Sequence, residues 1–378
     1  MQNNKAPTIL QILPSLGSGG VERGTLDMAE AITNQGWRSL VVSSGGPWEH
    51  KLKSLGATHI TMPVHSKNLI QMRLNAAKLK RLITQREVDL VHARSRAPGW
   101  SAYWAAKATG TPFITTFHGT YSHHNVFKRR YNSVMTKGKV VIAPSEHILK
   151  HLQSVYKINK RKIRLIPRGV DLSVFDSEKV PPSRVVNLSE GWRLPDGVPL
   201  IILPGRVTAV KGHLSLIEAL TKLDVPDYLC LFVGSYREDT YFKRIQRALV
   251  EYGLTEKVHL VGRTDDMPAL YMLGDVIVTP SPKPESFGRT AAEAMAMGRL
   301  VVGTDHGGLS EIIADGCGWK VTPNDPAELA VALEEALSVK AKKRESIGKK
   351  AKARITKEYS LDQMRDKTLD VYRQVLKI

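Results

Sequence analysis

The feature that most constrains this chain is its hydrophobic rhythm. Short, unbroken runs of aliphatic and β-branched residues alternate with longer stretches in which apolar residues recur every three or four positions. Unbroken rather than alternating apolar strands, each followed by a helix, are what a parallel sheet covered on both faces requires. In the first half the pattern predicts strands over 9–13, 40–43, 90–92, 113–116, 140–143 and 164–166, with helices over 21–33, 68–84, 98–109 and 146–156. The rhythm stops at 176–196, where Pro181-Pro182, Pro195 and scattered charges show no sustained period. It restarts with strands over 200–203, 229–233, 258–261, 276–279 and 300–303 and helices over 213–223, 240–252 and 289–297. Further helices are expected over 327–338 and 361–377, and the basic run between them reads as a solvated face.

The class that follows is α/β, with two doubly wound Rossmann-like domains. Their expected bounds are 1–175 and 197–360, joined by a linker over 176–196. A terminal helix over 361–378 is free to cross back to the first domain. At roughly 150 residues per domain, 378 residues allow two proper cores. Two such domains facing a central cleft would bind ligands at the carboxyl edges of their sheets.

Charge separates the halves. Residues 1–171 carry 26 Lys and Arg against 8 Asp and Glu, whereas 172–378 carry 29 against 28. A basic half suits anionic lipid, nucleic acid or a phosphorylated substrate, and it also keeps a chain soluble. Aromatic residues are only 6% and no nucleic-acid-binding motif is visible, which argues against a nucleic-acid binder. No apolar run approaches the roughly 20 residues that span a bilayer, and the first residues lack the apolar stretch of a secretory signal. Cys230 and Cys317 offer neither a disulfide framework nor a zinc site, so a reducing cytosol is expected.

Three turns carry chemistry. Leu16-Gly17-Ser18-Gly19-Gly20-Val21-Glu22 follows the first strand and opens a helix, so its amides can face an anion. It fits neither the dinucleotide fingerprint nor a Walker A loop. After the strand at 200–203 come Pro204-Gly205-Arg206 and then Lys211-Gly212. There Arg206 offers a fork and Lys211 a point charge for a diphosphate, although two solvated surface cations would give the same pattern. After the strand at 276–279 comes Pro280-Ser281-Pro282-Lys283-Pro284-Glu285-Ser286-Phe287-Gly288-Arg289, then a helix carrying Glu293. The amides of Ser286, Phe287, Gly288 and Arg289 would form an anion-binding helix start, with Glu285 and Glu293 on either side.

Taken together, Gly19-Gly20 with Glu22, Gly205-Arg206 with Lys211-Gly212, Glu285 and Glu293 around Pro-Glu-Ser-Phe-Gly, and Asp305-His306-Gly307-Gly308 resemble the retaining family 4 glycosyltransferases of GT-B fold. The likeness runs over nearly the whole chain. Val91-His92-Ala93-Arg94-Ser95-Arg96-Ala97-Pro98 and Phe117-His118-Gly119 are most similar to a bacterial subgroup associated with lipopolysaccharide core assembly. The resemblance implies catalytic roles for His118, Arg206, Lys211 and Glu285. Arg206 and Lys211 would hold the donor diphosphate, Glu285 the sugar hydroxyls and Glu293 the nucleotide ribose. His118 would contact the donor sugar near the reacting carbon. Gly19, Gly20, Gly205 and the 286–289 amides would complete donor binding.

The substrate implied is a nucleotide sugar such as a UDP- or GDP-sugar, with no cofactor. No Asp-x-Asp motif is placed for a metal, and Asp265-Asp266 reads as a helix cap. The acceptor implied is a lipopolysaccharide core or another lipid-linked glycan. The enzyme would then be cytoplasmic, with peripheral attachment to the anionic inner face of the inner membrane. For that attachment, Lys78, Lys80, Arg81 and Arg86 lie beside Leu69, Met72, Leu79 and Leu82, and Lys128, Arg129 and Arg130 lie beside Phe127 and Tyr131. A packed helix that merely exposes its cations is the alternative. A GT-B epimerase and a basic nucleic-acid binder are the other functional readings.

Overall fold

Seven parallel strands form the first sheet; the inner ones are buried along almost their whole length and leave no polar face for solvent, while the edge strand after the second helix is partly exposed. The computed structural model describes residues 5–17, 19–121 and 125–378. The strands are β1 (Thr8–Ile12), β2 (Arg38–Ser43), β3 (Thr58–Thr61), β4 (Leu90–Ala93), β5 (Phe113–Thr116), β6 (Val141–Ala143) and β7 (Ile163–Leu165). Their order is β3-β2-β1-β4-β5-β6-β7, so the direction of travel reverses between β1 and β4. Between them run α1 (Gly20–Asn34), α2 (Glu49–Ser54), α3 (Leu69–Gln85), α4 (Arg96–Thr109), α5 (Val126–Asn132) and α6 (Glu146–Tyr156). On α3 the stripe Met72, Leu79 and Ile83 is buried in the core. Met72 and Leu79 are therefore not part of an exposed mixed face, and the exposed apolar residues of α3 are Leu69, Ile70 and Leu74.

The second sheet has six parallel strands, β8 (Leu200–Pro204), β9 (Leu229–Val233), β10 (Val258–Gly262), β11 (Val276–Thr279), β12 (Leu300–Thr304) and β13 (Trp319–Val321). Its order is β10-β9-β8-β11-β12-β13, the doubly wound arrangement, with the reversal between β8 and β11. Helices α7 (Pro182–Gly191), α8 (His213–Leu220), α9 (Thr240–Glu251), α10 (Met267–Leu273), α11 (Arg289–Ala296), α12 (Gly307–Ile312), α13 (Pro326–Ser338) and α14 (Ala341–Glu358) complete this unit, and α15 (Leu361–Leu376) ends the chain.

Contacts divide the chain into one unit of residues 1–168 with 361–378 and a second of 169–360. Residues 169–175 therefore go with the second unit, where Val170 bridges Ser360. The stretch 176–196 is not a bare linker. Pro182 takes the first position of α7, where its missing N–H costs nothing and its fixed φ suits a helix start. Arg184 on that helix donates to Asp266, 2.8 Å away, which fastens α7 to the cap of α10. The basic run is one continuous helix, α14, which buries Ile347, Gly348, Ala351 and Ile355. Gly348 is required there, since a Cβ would lie 2.4 Å from the Gly298 carbonyl oxygen.

α15 packs on the first unit through a buried polar cluster. His92 on β4 bonds the Tyr372 hydroxyl at 2.8 Å through Nδ1 and the Thr116 hydroxyl at 2.8 Å through Nε2. Burial, reinforced by the nearby Arg94 charge, holds His92 well below the usual histidine range.

Candidate active site

Within the second unit the loops after β8 and β11 meet where the strand order reverses, the position at which open α/β sheets bind ligands. Two glycines allow the approach. A Cβ on Gly212 would lie 1.9 Å from the Pro280 carbonyl oxygen, and its φ of +79° is left-handed. Gly234, after β9, passes so close to the β8 turn that a Cβ would lie 2.0 Å from the Gly205 oxygen. The result is that Lys211 Nζ donates to Glu285 Oε1 at 2.8 Å, with both side chains mostly shielded from water. Ser281 donates from its hydroxyl to the same oxygen. Arg206 stands exposed on the β8 turn and makes no ion pair among the described residues.

The backbone of the 285–289 segment is braced by α12. The Gly308 amide donates to the Glu285 carbonyl at 2.7 Å, and a Cβ on Gly307 or Gly308 would strike the loop backbone. Phe287 is buried and its ring lies 5.9 Å from that of Tyr359, so its side chain serves the core and only its amide faces outward chemistry. Gly288 caps α11 at φ +108°. The amides of Ser286, Phe287 and Gly288 donate no backbone hydrogen bond among the described residues, which leaves them available to an anion. Glu293, on α11, accepts from the buried Tyr271 hydroxyl at 2.8 Å. Burial first and the Glu293 carboxylate second push the Tyr271 hydroxyl well above its ordinary range, so it remains a donor.

In the first unit Gly19 caps α1 and Gly20 begins it; Ser18 of the same turn lies outside the described residues. The Glu22 carboxylate folds back over Gly19, where a Cβ would come within 2.4 Å of it. His118 follows β5. Arg168, which follows β7, donates 2.6 Å to the Gly20 carbonyl and 2.7 Å to His118 Nδ1. A guanidinium only donates, so Nδ1 accepts and the neutral ring carries its proton on Nε2.

Two family models match the chain, Glycosyltransferase Family 4 over residues 18–174 and Glycosyl transferases group 1 over 187–354. A crystal structure of a glycosyltransferase from Rickettsia africae ESF-5 is 39% identical, covers 98% of this chain and 99% of that one, and superposes with a TM-score of 0.91. The chain is a family 4 glycosyltransferase. A D-inositol 3-phosphate glycosyltransferase from Xylanimonas cellulosilytica is 28% identical over 307 residues, 76% of this chain and 72% of that protein. The lipopolysaccharide 1,2-N-acetylglucosaminetransferase of Salmonella typhimurium is 26% identical over 250 residues, 63% of this chain and 62% of that protein.

This glycosyltransferase has the GT-B architecture of two parallel-sheet Rossmann-like units, and it transfers sugar from a nucleotide sugar to a sugar acceptor. Its second unit gathers Gly205, Lys211, Glu285 and the 286–289 turn, with Glu293 on the helix that this turn opens. Its first unit gathers Gly20 and His118 through Arg168. Three contributors escaped the sequence reading: Arg168, Ser281 and Gly234. Arg168 could have been found by the rule that picked out Arg206, an arginine just past the carboxyl end of a parallel strand. Asp266 does cap α10, accepting from the Ala269 amide at 3.1 Å. Among the described residues no group of three or more His, Cys, Asp or Glu is placed to hold a metal ion.

Proposed function

We propose that this enzyme transfers a hexose from a UDP- or GDP-type sugar to a lipopolysaccharide-core or other lipid-linked glycan, with retention of configuration and without a metal. The observation that carries the reading is the Lys211–Glu285 pair, 2.8 Å apart at the switch point of the second sheet, with Arg206 on the same turn. A departing diphosphate gathers negative charge, and fixed cations aimed at it lower the barrier without solvent having to reorganise. Lys211 and Arg206 would supply that charge, and the Ser286–Arg289 amides would add to it. Glu285, released from Lys211 by the incoming phosphate, would accept from sugar hydroxyls, and Glu293 from the ribose.

In the retaining step the bond from the anomeric carbon to the phosphate oxygen breaks, and the acceptor oxygen bonds to that carbon from the same face. The acceptor proton passes to the departing phosphate oxygen. His118, whose Nε2 carries the remaining ring N–H, would contact the sugar near the reacting carbon.

The Salmonella relative, named for its lipopolysaccharide activity, supports this acceptor class. Peripheral attachment to an anionic membrane rests on exposed apolar residues next to cations. Ile70 is 72% and Phe127 83% exposed, beside Lys67 and Lys128 in the chain. No helix among the described residues is long and apolar enough to cross a membrane. Of the basic segment 123–131, positions 123 and 124 lie outside the described residues.

The test is turnover in excess chelator, with the anomeric configuration of the product read by NMR coupling constants. Full activity with retained configuration is expected; inversion, or loss of activity in chelator, would contradict the reading. Co-sedimentation of the full chain with phosphatidylglycerol but not phosphatidylcholine vesicles is expected for the membrane role, and equal recovery with both would remove it.

A further inference from the structure

The first unit contains a cavity of about 660 Å³ whose wall includes His65, Lys67, Arg96, Lys128, Tyr131 and Asn132 and no carboxylate. Pro14 and Ser95 also border it. They lie just past the carboxyl ends of β1 and β4, the neighbours between which the first sheet reverses its strand order. That is where an open α/β sheet presents a ligand crevice, and the volume falls in the range of small-molecule sites. We infer that this cavity binds the phosphate group of a phosphorylated acceptor, a reading that rests on the glycosyl transfer proposed above.

Arg96 is the anchor. Its Nη1 donates to Asn132 Oδ1 at 2.9 Å, and its guanidinium lies over the Tyr121 ring, 3.9 Å from the centroid. Asn132 is itself buried. The plane of the fork is thus fixed from two sides, while its other donors meet no protein acceptor among the described residues. A guanidinium immobilised with donors to spare is the arrangement that reads an oxyanion bidentately. Lys67 arrives from the segment after β3 and Lys128 from α5, and neither pairs with a carboxylate among the described residues. Bringing two ammonium groups and a guanidinium around one concavity raises the local potential, which an anion relieves. Three cations suit the dianion of a phosphomonoester best, and the guanidinium fork also matches the two non-bridging oxygens of a singly charged phosphodiester headgroup.

The experiment is calorimetric titration of the full chain, with uridine or guanosine diphosphate present in excess to fill the donor site. One arm uses glucose 6-phosphate against glucose; the other uses a short-chain phosphatidylinositol below its micelle concentration. The variants are Arg96→Gln and the surface double variant Lys67→Ala/Lys128→Ala, the second chosen because exposed lysines are replaced without disturbing the core.

Binding in either arm that weakens at least about tenfold in both variants, with glucose itself not binding, is expected, and the responding arm identifies the source of the phosphate. Binding in neither arm, equal binding by the variants, or equal binding of glucose would overturn the proposal. Nucleoside diphosphate affinity should be the same in the variants and the parent. Should nucleotides fail to bind while phosphate binding persists, the transfer reading falls and the cavity assignment stands.

Discussion

His118 and Arg168 show what a single residue contributes here. The Arg168 fork spans the Gly20 carbonyl and His118 Nδ1, so one side chain sets both the start of α1 and the tautomer of the ring. Arg168→Ala should lower kcat about tenfold with little change in KM for the donor, since orientation rather than affinity is lost. Nitrogen-detected NMR of the His118 ring should show the Nε2–H form in the parent and a mixture of tautomers in the variant, with Arg168→Lys recovering most activity. An unchanged tautomer in Arg168→Ala would refute the positioning role. For the pair in the second unit, Lys211→Ala and Glu285→Ala should each reduce kcat/KM at least about tenfold while the circular-dichroism spectrum stays the same. Parental turnover in both would dismiss the site.

Helix α8 carries a prediction of its own. His213, its first residue, is buried with its ring centroid 4.9 Å from that of Phe232. Burial lowers its pKa from 6.5 to about 4; the Thr208 backbone opposes the shift, and the nearby Lys211 charge adds to it. The unfolded chain therefore takes up a proton that the folded one refuses. Stability from this group is complete above about pH 6.5 and is lost as pH falls toward about 4. Thermal denaturation from pH 7 to pH 4 should show the loss, and His213→Leu should flatten part of the slope. An equally steep profile in the variant would contradict the assignment.

The same elements show why sequence revealed some of the structure and not all. The inner strands declared themselves because both faces are buried and their apolar runs are unbroken. β3 did not, because Thr-His-Ile-Thr at a sheet edge is half exposed and carries little apolar signal. α7 buries no residue completely, and its opening Pro181-Pro182 reads as a break although Pro182 favours the helix start. Turn chemistry pointed to Lys211, Glu285 and the 285–289 loop, whereas Ser281 and Gly234 depend on which loops meet in space. The cavity around Arg96 joins segments after β3 and β4 with α5, a convergence that no local pattern encodes.

The last helix, α15, belongs to the first unit, where it closes the first sheet's core through Tyr372 and His92. Tyr372→Phe leaves a buried imidazole nitrogen without its partner and should cost about 1–3 kcal/mol, read by urea denaturation of the full chain. No change in midpoint would mean the hydroxyl is not part of the core network. The charge is just as unevenly shared, since nearly all of the +19 lies in residues 1–171. The cavity around Arg96 therefore lies in the basic half, and Arg206 and Lys211 lie in a half whose charges otherwise balance. On the function proposed above, main-chain amides with Arg206 and Lys211 hold the donor diphosphate. The direct measurement is equilibrium binding of uridine, guanosine and adenosine diphosphates, in chelator, to the parent chain and to Arg206→Ala/Lys211→Ala. At least one nucleotide should bind the parent and bind the double variant at least about tenfold more weakly; equal affinity in the two would contradict the account.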